Sequence, residues 1–209
     1  VIHELLMRIH QDNKVVSAYE FIEIAEARGL INVMDLMVIE KAFKKIQETQ
    51  YEGILFINLS PKSLIMGDFI NKINGFVYKY GIQKDKIVFE ITERETVKNF
   101  SLLEKFVYTL KLEGYKFAID DFGSGFSSFH YIKKFPIDYV KIDGDFIVNI
   151  NKDEKDRAFV NSIVTLAKEL KIQTVAEFVE NEEIVQVLNA LEIDYYQGFH
   201  IGKPAQKFI

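Results

Sequence analysis

Short apolar runs recur down this chain, each followed by a longer amphipathic stretch, and that alternation limits what it can fold into. Ile54 to Leu59, Ile87 to Thr92, Phe117 to Asp120, Tyr139 to Asp143, Gln173 to Glu177 and Tyr195 to Phe199 have the length and composition of buried strands. The stretches between them read as helices. Phe69 to Tyr80 stops at Gly81, and Ser101 to Glu113 opens with the capping box Ser101-x-x-Glu104 and closes at Gly114. Ser127 to Lys134 ends before Pro136, Glu154 to Leu170 carries Phe159, Ile163, Leu166 and Leu170 on one stripe, and Asn181 caps the last helix. Upstream, Val1 to Ile9 reads as a strand. Ser17 to Arg28 reads as a helix with Phe21, Ile22, Ile24 and Ala25 inward. Asn32 to Gln47 reads as a helix with Asn32 as N-cap and Leu36, Ile39, Phe43 and Ile46 as its stripe.

Apolar strands separated by amphipathic helices build βα units on a parallel sheet. The count is seven strands, one short of the eight of a TIM-type barrel. The expected fold is therefore α/β, a modified TIM-type (β/α) barrel with its first strand absent from this chain. The 209 residues, 48% hydrophobic, suit a single domain over 1–209, read as a piece of a longer protein because no initiator Met begins it. A doubly wound open sheet is the competitor, but it gathers polar groups at one switch-point crevice. The net charge of −5 argues against a nucleic-acid polymer as partner. The absence of cysteine excludes disulfides, thiolate metal sites and thiol nucleophiles.

Polar residues interrupt each strand: Glu4, Asn58, Glu90, Asp120 with Asp121, Lys141, Glu177 and Gln197, most of them near the C-terminal end. Barrels place their chemistry at that end. Two adjacent aspartates repel each other and prefer a cation beside them. Taken alone, the Asp120-Asp121 stretch also fits a polar turn in which one Asp caps the next helix. Glu4, Glu90, Asp120, Asp121 and Glu177 are hard oxygen donors and Asn58 adds an amide oxygen, a set suited to Mg²⁺ or Mn²⁺ rather than zinc or copper. Two such ions can activate water and steady both oxygens of an in-line phosphoryl displacement. Lys141 would stabilise charge on the phosphate or orient the water, and Arg8 could grip a phosphate with two donors. Together these parts point to a phosphodiester hydrolase. His3, His10, His130 and His200 are isolated and read as structural.

From Glu4 to Pro204 the chain resembles the EAL domain family, the cyclic di-GMP phosphodiesterases of bacterial signalling. Glu4-Leu5-Leu6-Met7-Arg8 resembles the Glu-Ala-Leu-x-Arg signature, Asn58-Leu59-Ser60 the Asn-Leu-Ser strand end, and Glu90-Ile91-Thr92-Glu93 the Glu-x-Thr-Glu motif. Asp120-Asp121-Phe122-Gly123-Ser124-Gly125, Val140-Lys141-Ile142-Asp143, Ala176-Glu177-Phe178-Val179-Glu180, Gln197-Gly198-Phe199 and Gly202-Lys203-Pro204 follow in order. The resemblance implies hydrolysis of cyclic di-GMP to linear pGpG with two Mg²⁺ or Mn²⁺ ions. Glu4, Asn58, Glu90, Asp120 and Asp121 would be metal ligands, and Glu177 the general base or a ligand beside the water. Lys141 would hold that water, Arg8 and Gln197 would contact substrate, and Glu93 would brace the loop after Asp121. It also implies a homodimer, an upstream sensor or GGDEF-type domain, and a cytoplasmic domain whose parent can be membrane-anchored.

Three features depart from the family pattern. Leu5 stands in place of Ala, Phe178 stands where Gly is usual, and the first strand with its Gln-Pro nucleotide contact is absent. They motivate an alternative, a receptor that binds cyclic di-GMP and signals through its dimer interface without hydrolysis.

Overall fold

The structure, a computed structural model, describes residues 1–12, 14–64, 67–124 and 130–206. In chain order the elements begin β1 (Ile2–Leu5), β2 (Arg8–Gln11), β3 (Lys14–Ser17), α1 (Ala18–Ala27), α2 (Ile31–Thr49), β4 (Ile54–Asn58), α3 (Pro61–Leu64), α4 (Phe69–Tyr80) and β5 (Ile87–Thr92). They continue with α5 (Glu93–Lys98), α6 (Phe100–Leu112), β6 (Lys116–Phe122), α7 (His130–Lys134), β7 (Tyr139–Ile142), α8 (Gly144–Ile147), α9 (Glu154–Leu170), β8 (Gln173–Ala176), α10 (Glu182–Ala190) and β9 (Tyr195–Tyr196). No helix among the described residues is long and apolar enough to cross a membrane.

Contacts divide the chain into two units: residues 1–90 with 101–116, and residues 91–100 with 117–207. In the first, β1, β4 and β5 pair in parallel, with Glu4 opposite Phe56 and Asn58 opposite Glu90. α2 packs on α3 and α4. Its buried face is Ile31, Asp35, Ile39, Ala42 and Phe43, a four-residue repeat into which an acid has been set. In the second unit β6, β7, β8 and β9 pair in parallel in chain order, and α9 buries Val160, Ile163, Val164 and Ala167. The cores are built from fully buried strand residues, among them Val88, Phe89, Phe117, Ala118 and Ile142. Burying each of the Val, Ile and Phe side chains stabilises the fold by roughly 1.5–3 kcal/mol.

Several boundaries differ from the sequence expectation. The first run breaks after Leu5, and Arg8 begins a separate antiparallel hairpin in which it faces Ser17. α2 starts one residue before Asn32, with Leu30 at its cap, because Ile31 is drawn into the core. Ile24 and Leu170 lie outside the buried faces assigned to them. Ser101 sits inside the first turn of α6 rather than at a cap. Three short helices went unread: α3, α5, capped by Thr92 accepting from the Glu95 N–H, and α8, capped by Asp143 accepting from the Asp145 N–H. Gly125 and residues 127–129 of the expected short helix lie outside the described residues.

Candidate active site

In the first unit, Glu4, Asn58 and Glu90 stand at or near the C-terminal ends of three neighbouring parallel strands. Register sets Asn58 level with Glu90, while Glu4 lies opposite Phe56, two residues short of Asn58, so the three cluster toward one edge of the sheet without being level. Asn58 donates through Nδ2 to Glu4 Oε1 at 2.8 Å. That orientation leaves the amide carbonyl oxygen as the donor atom Asn58 offers a cation. Glu90 is fully buried within β5, and its carbonyl accepts the Leu59 N–H at 3.0 Å. A buried carboxyl inside an otherwise apolar strand needs compensation by charge or metal.

In the second unit the decisive feature is an irregularity in β6. Ile119 pairs with Val140, but Phe122 pairs with Ile142, so Asp120 and Asp121 together span what one partner residue spans. Successive side chains of a regular strand point to opposite faces, which would send one carboxylate away. Asp121 instead adopts a left-handed backbone, φ 50°, a conformation Asp tolerates better than most residues. Such bulges re-aim side chains at functional sites. As a result oxygens of Asp120, Asp121 and Glu177 all lie within 4.8 Å of one another.

Lys141 lies against this group. Its Nζ is 2.9 Å from Asp120 Oδ1 and 3.0 Å from Glu177 Oε1, and its side chain is 1% exposed. One ammonium thus faces three clustered carboxylates, two of them buried. Such an excess of negative charge, presented only by hard oxygens, suits a divalent cation. Glu177 follows the end of β8, where its N–H donates to the Ile142 carbonyl at 3.4 Å. Gln197 follows β9. Its backbone ties the rim together, donating to Ala176 O at 2.8 Å and accepting from the Val179 N–H at 2.9 Å.

Glu93, nearly fully buried at the start of α5, accepts the Gly123 N–H at 2.9 Å. Gly123 has φ 103°, and a β-carbon there would meet Phe146 and Phe159 at 2.9 Å, so the loop after Asp121 needs glycine. Arg8 is exposed on the hairpin and donates to the Met7 carbonyl at 2.7 Å. His3 meets the Tyr51 hydroxyl at 2.7 Å, and His200 meets Glu182 at 3.2 Å. Sequence reasoning missed Asp35, a buried acid on α2 whose signal was its place in the four-residue apolar repeat.

Comparison with known proteins gives the same picture. The EAL domain family matches residues 1–204. A cyclic di-GMP phosphodiesterase of Shewanella oneidensis, PdeB, is 38% identical over 96% of this chain, which spans only 24% of that protein. The solved structure of the PaMucR phosphodiesterase in complex with c-di-GMP superposes with a TM-score of 0.88 at 28% identity, covering 96% of this chain and 83% of that one. The manganese and cyclic di-GMP complex of Klebsiella pneumoniae BlrP1 gives 0.82 at 30% identity, over 88% of this chain and 47% of that one. The fold is accordingly the modified TIM-type (β/α) barrel of these proteins. On its family match, its identity to a curated relative and its fold, this chain belongs to the EAL domain family.

Proposed function

We propose that this chain hydrolyses one phosphodiester bond of cyclic di-GMP, releasing linear pGpG, with two Mg²⁺ or Mn²⁺ ions bound. The observation that carries the reading is the Asp120, Asp121 and Glu177 cluster with Lys141 buried against it. The phosphodiesterase relatives support the substrate. The ions would be held by Glu4, Asn58 and Glu90 in the first unit and by Asp120 and Asp121 in the second. When bound, they supply Lewis-acid polarisation of the phosphate and a more acidic water.

The side chains divide the remaining work. Water attacks phosphorus while the bond to one ribose 3′ oxygen breaks. The proton lost by the water goes to Glu177, and the departing 3′ oxygen takes a proton from solvent to become a hydroxyl. Lys141 carries three donors and already contacts both Asp120 and Glu177. Turning one toward the attacking water orients it beside the base. Arg8 and Gln197 would contact the substrate, and Glu93 would keep the Gly123 loop, and so Asp121, in place. We further propose one EAL domain over 1–209, a cytoplasmic setting, a homodimer, and an upstream sensor or GGDEF-type domain in the parent protein. A receptor without hydrolysis is the weaker reading, because binding alone does not need a base and lysine in this arrangement.

A time course with cyclic di-GMP and excess Mg²⁺, resolving substrate from pGpG by chromatography, tests the reading. Product that disappears with chelator is expected. Tight binding with no product, in this chain and in its full-length parent, overturns it.

A further inference from the structure

Asn58 is exposed, so side-chain packing does little to fix it, and its position depends on the backbone it ends. That backbone continues into the Leu59–Ser63 turn, which is held by acids from two helices. Asp35 on α2 is 4% exposed, and its Oδ2 accepts from Ser63 Oγ at 2.6 Å and from the Ser60 N–H at 3.4 Å. Glu26 on α1 accepts from Ser60 Oγ at 2.7 Å and from Lys62 Nζ at 2.8 Å. Ser60 Oγ accepts in turn from the Lys62 N–H at 3.3 Å.

The core does not explain an acid at position 35. The other residues on that face of α2, Ile31, Ile39, Ala42 and Phe43, are apolar and buried. Burial pushes the Asp35 carboxyl up to about 6, so the site costs stability wherever the group is ionised. What the carboxyl does is accept two donors from the turn directly after Asn58. The turn is also tied on its other side, where the Leu59 N–H meets the Glu90 carbonyl at 3.0 Å.

We infer that Asp35 and Glu26 are positioning residues: by clamping the Ser60–Ser63 turn they set where the Asn58 amide sits beside Glu4, and through it the metal affinity of that edge. The metal part rests on the proposed function; the clamp itself does not.

The test uses the 209-residue chain and its Asp35→Ala, Asp35→Asn and Ser63→Ala variants. Mn²⁺ binding is measured by titration calorimetry without substrate, and the Asn58 side-chain amide resonances are followed by NMR without metal. Asp35→Ala and Ser63→Ala are expected to weaken Mn²⁺ binding by about tenfold or more, as loss of an orienting partner does elsewhere. Both should shift and broaden the Asn58 amide signals. Asp35→Asn keeps an acceptor oxygen and should restore both. Ser63→Ala removes one oxygen atom and serves should Asp35→Ala fail to fold. Folded variants with unchanged Asn58 signals and unchanged Mn²⁺ affinity overturn the clamp. Wild-type protein that binds no Mn²⁺ overturns the metal reading instead, and the Asn58 signals then decide the clamp alone.

Discussion

The ring of Phe178 lies on the backbone of Gly144, so close that a β-carbon there would come within 2.3 Å of the ring's Cδ2. Phe178 itself holds φ at 54° and is 58% exposed. That backbone costs a residue with a β-carbon roughly 1–2 kcal/mol, and the exposed ring offsets little of it by burial. Phe178→Gly is therefore expected to raise stability by about 0.5–1 kcal/mol in denaturant melts. Gly144→Ala should cost about 2 kcal/mol with Phe178 present and much less in the Phe178→Gly background, a non-additivity that a double-mutant cycle reads directly. Equal cost in both backgrounds would show that the ring does not press on Gly144.

Lys141 balances part of the charge of Asp120, Asp121 and Glu177. Lys141→Met keeps the volume and removes the cation, leaving buried carboxylates uncompensated, a loss of roughly 3–5 kcal/mol. The melting temperature of the metal-free variant should fall by several degrees and recover in part with Mn²⁺. Turnover should fall by about 100-fold or more, since Lys141 also orients the water. A variant with wild-type melting and turnover would remove Lys141 from the mechanism.

Asp35 makes a prediction whose sign follows from linkage. Its carboxyl is raised from 3.8 to about 6 in the fold, chiefly by burial, against the lowering effect of the Ser63 and Ser60 hydrogen bonds. Between those values the folded chain holds a proton that the unfolded chain has lost, so stability falls as pH rises through this window and levels off above it. Asp35→Asn cannot ionise and keeps an acceptor for Ser63. It should exceed wild type by on the order of 3 kcal/mol at pH 8, with the difference shrinking toward pH 4, as read by urea unfolding at each pH. A constant difference across the range would mean that Asp35 is not raised.

Much of the fold was legible because its punctuation is local. α4 and α9 were read to the residue, as was β5, and α4 ends where Gly81 takes up a left-handed turn. Asn181 caps α10 with the bond its side chain promises, to the Ile184 N–H at 3.0 Å. What escaped depends on tertiary structure. Nothing near Ile31 announces that the core pulls it into α2 ahead of Asn32. The break that moves Arg8 onto a hairpin has no Gly or Pro in Leu6-Met7 to signal it. At the candidate site, the sequence shows which residues have ligand chemistry but not where their side chains are directed. Alternation would have put Asp120 and Asp121 on opposite faces, and only the bulge gathers them.

Glu93 and Gly123 carry the loop that follows. Glu93→Ala removes the acceptor of the Gly123 N–H and should cost about 1–3 kcal/mol; Glu93→Gln, which retains an oxygen, should cost less. Gly123→Ala should be worse than either, because its β-carbon meets two stacked rings, Phe146 and Phe159, at a φ that disfavours it. Chemical denaturation of the three variants orders them. If Glu93→Gln and Glu93→Ala are equal, the hydrogen bond contributes nothing.

The bulge in β6 also separates two things that usually fail together. Removing one residue between Ile119 and Phe122 would let the strand pair evenly with β7, an easier ladder to form than the present one. The shortened chain would keep its strand and its neighbours, yet only one carboxylate would remain where two now converge on Glu177. A deletion could thus improve the sheet while erasing the site, and screens that score solubility or melting alone would select for it.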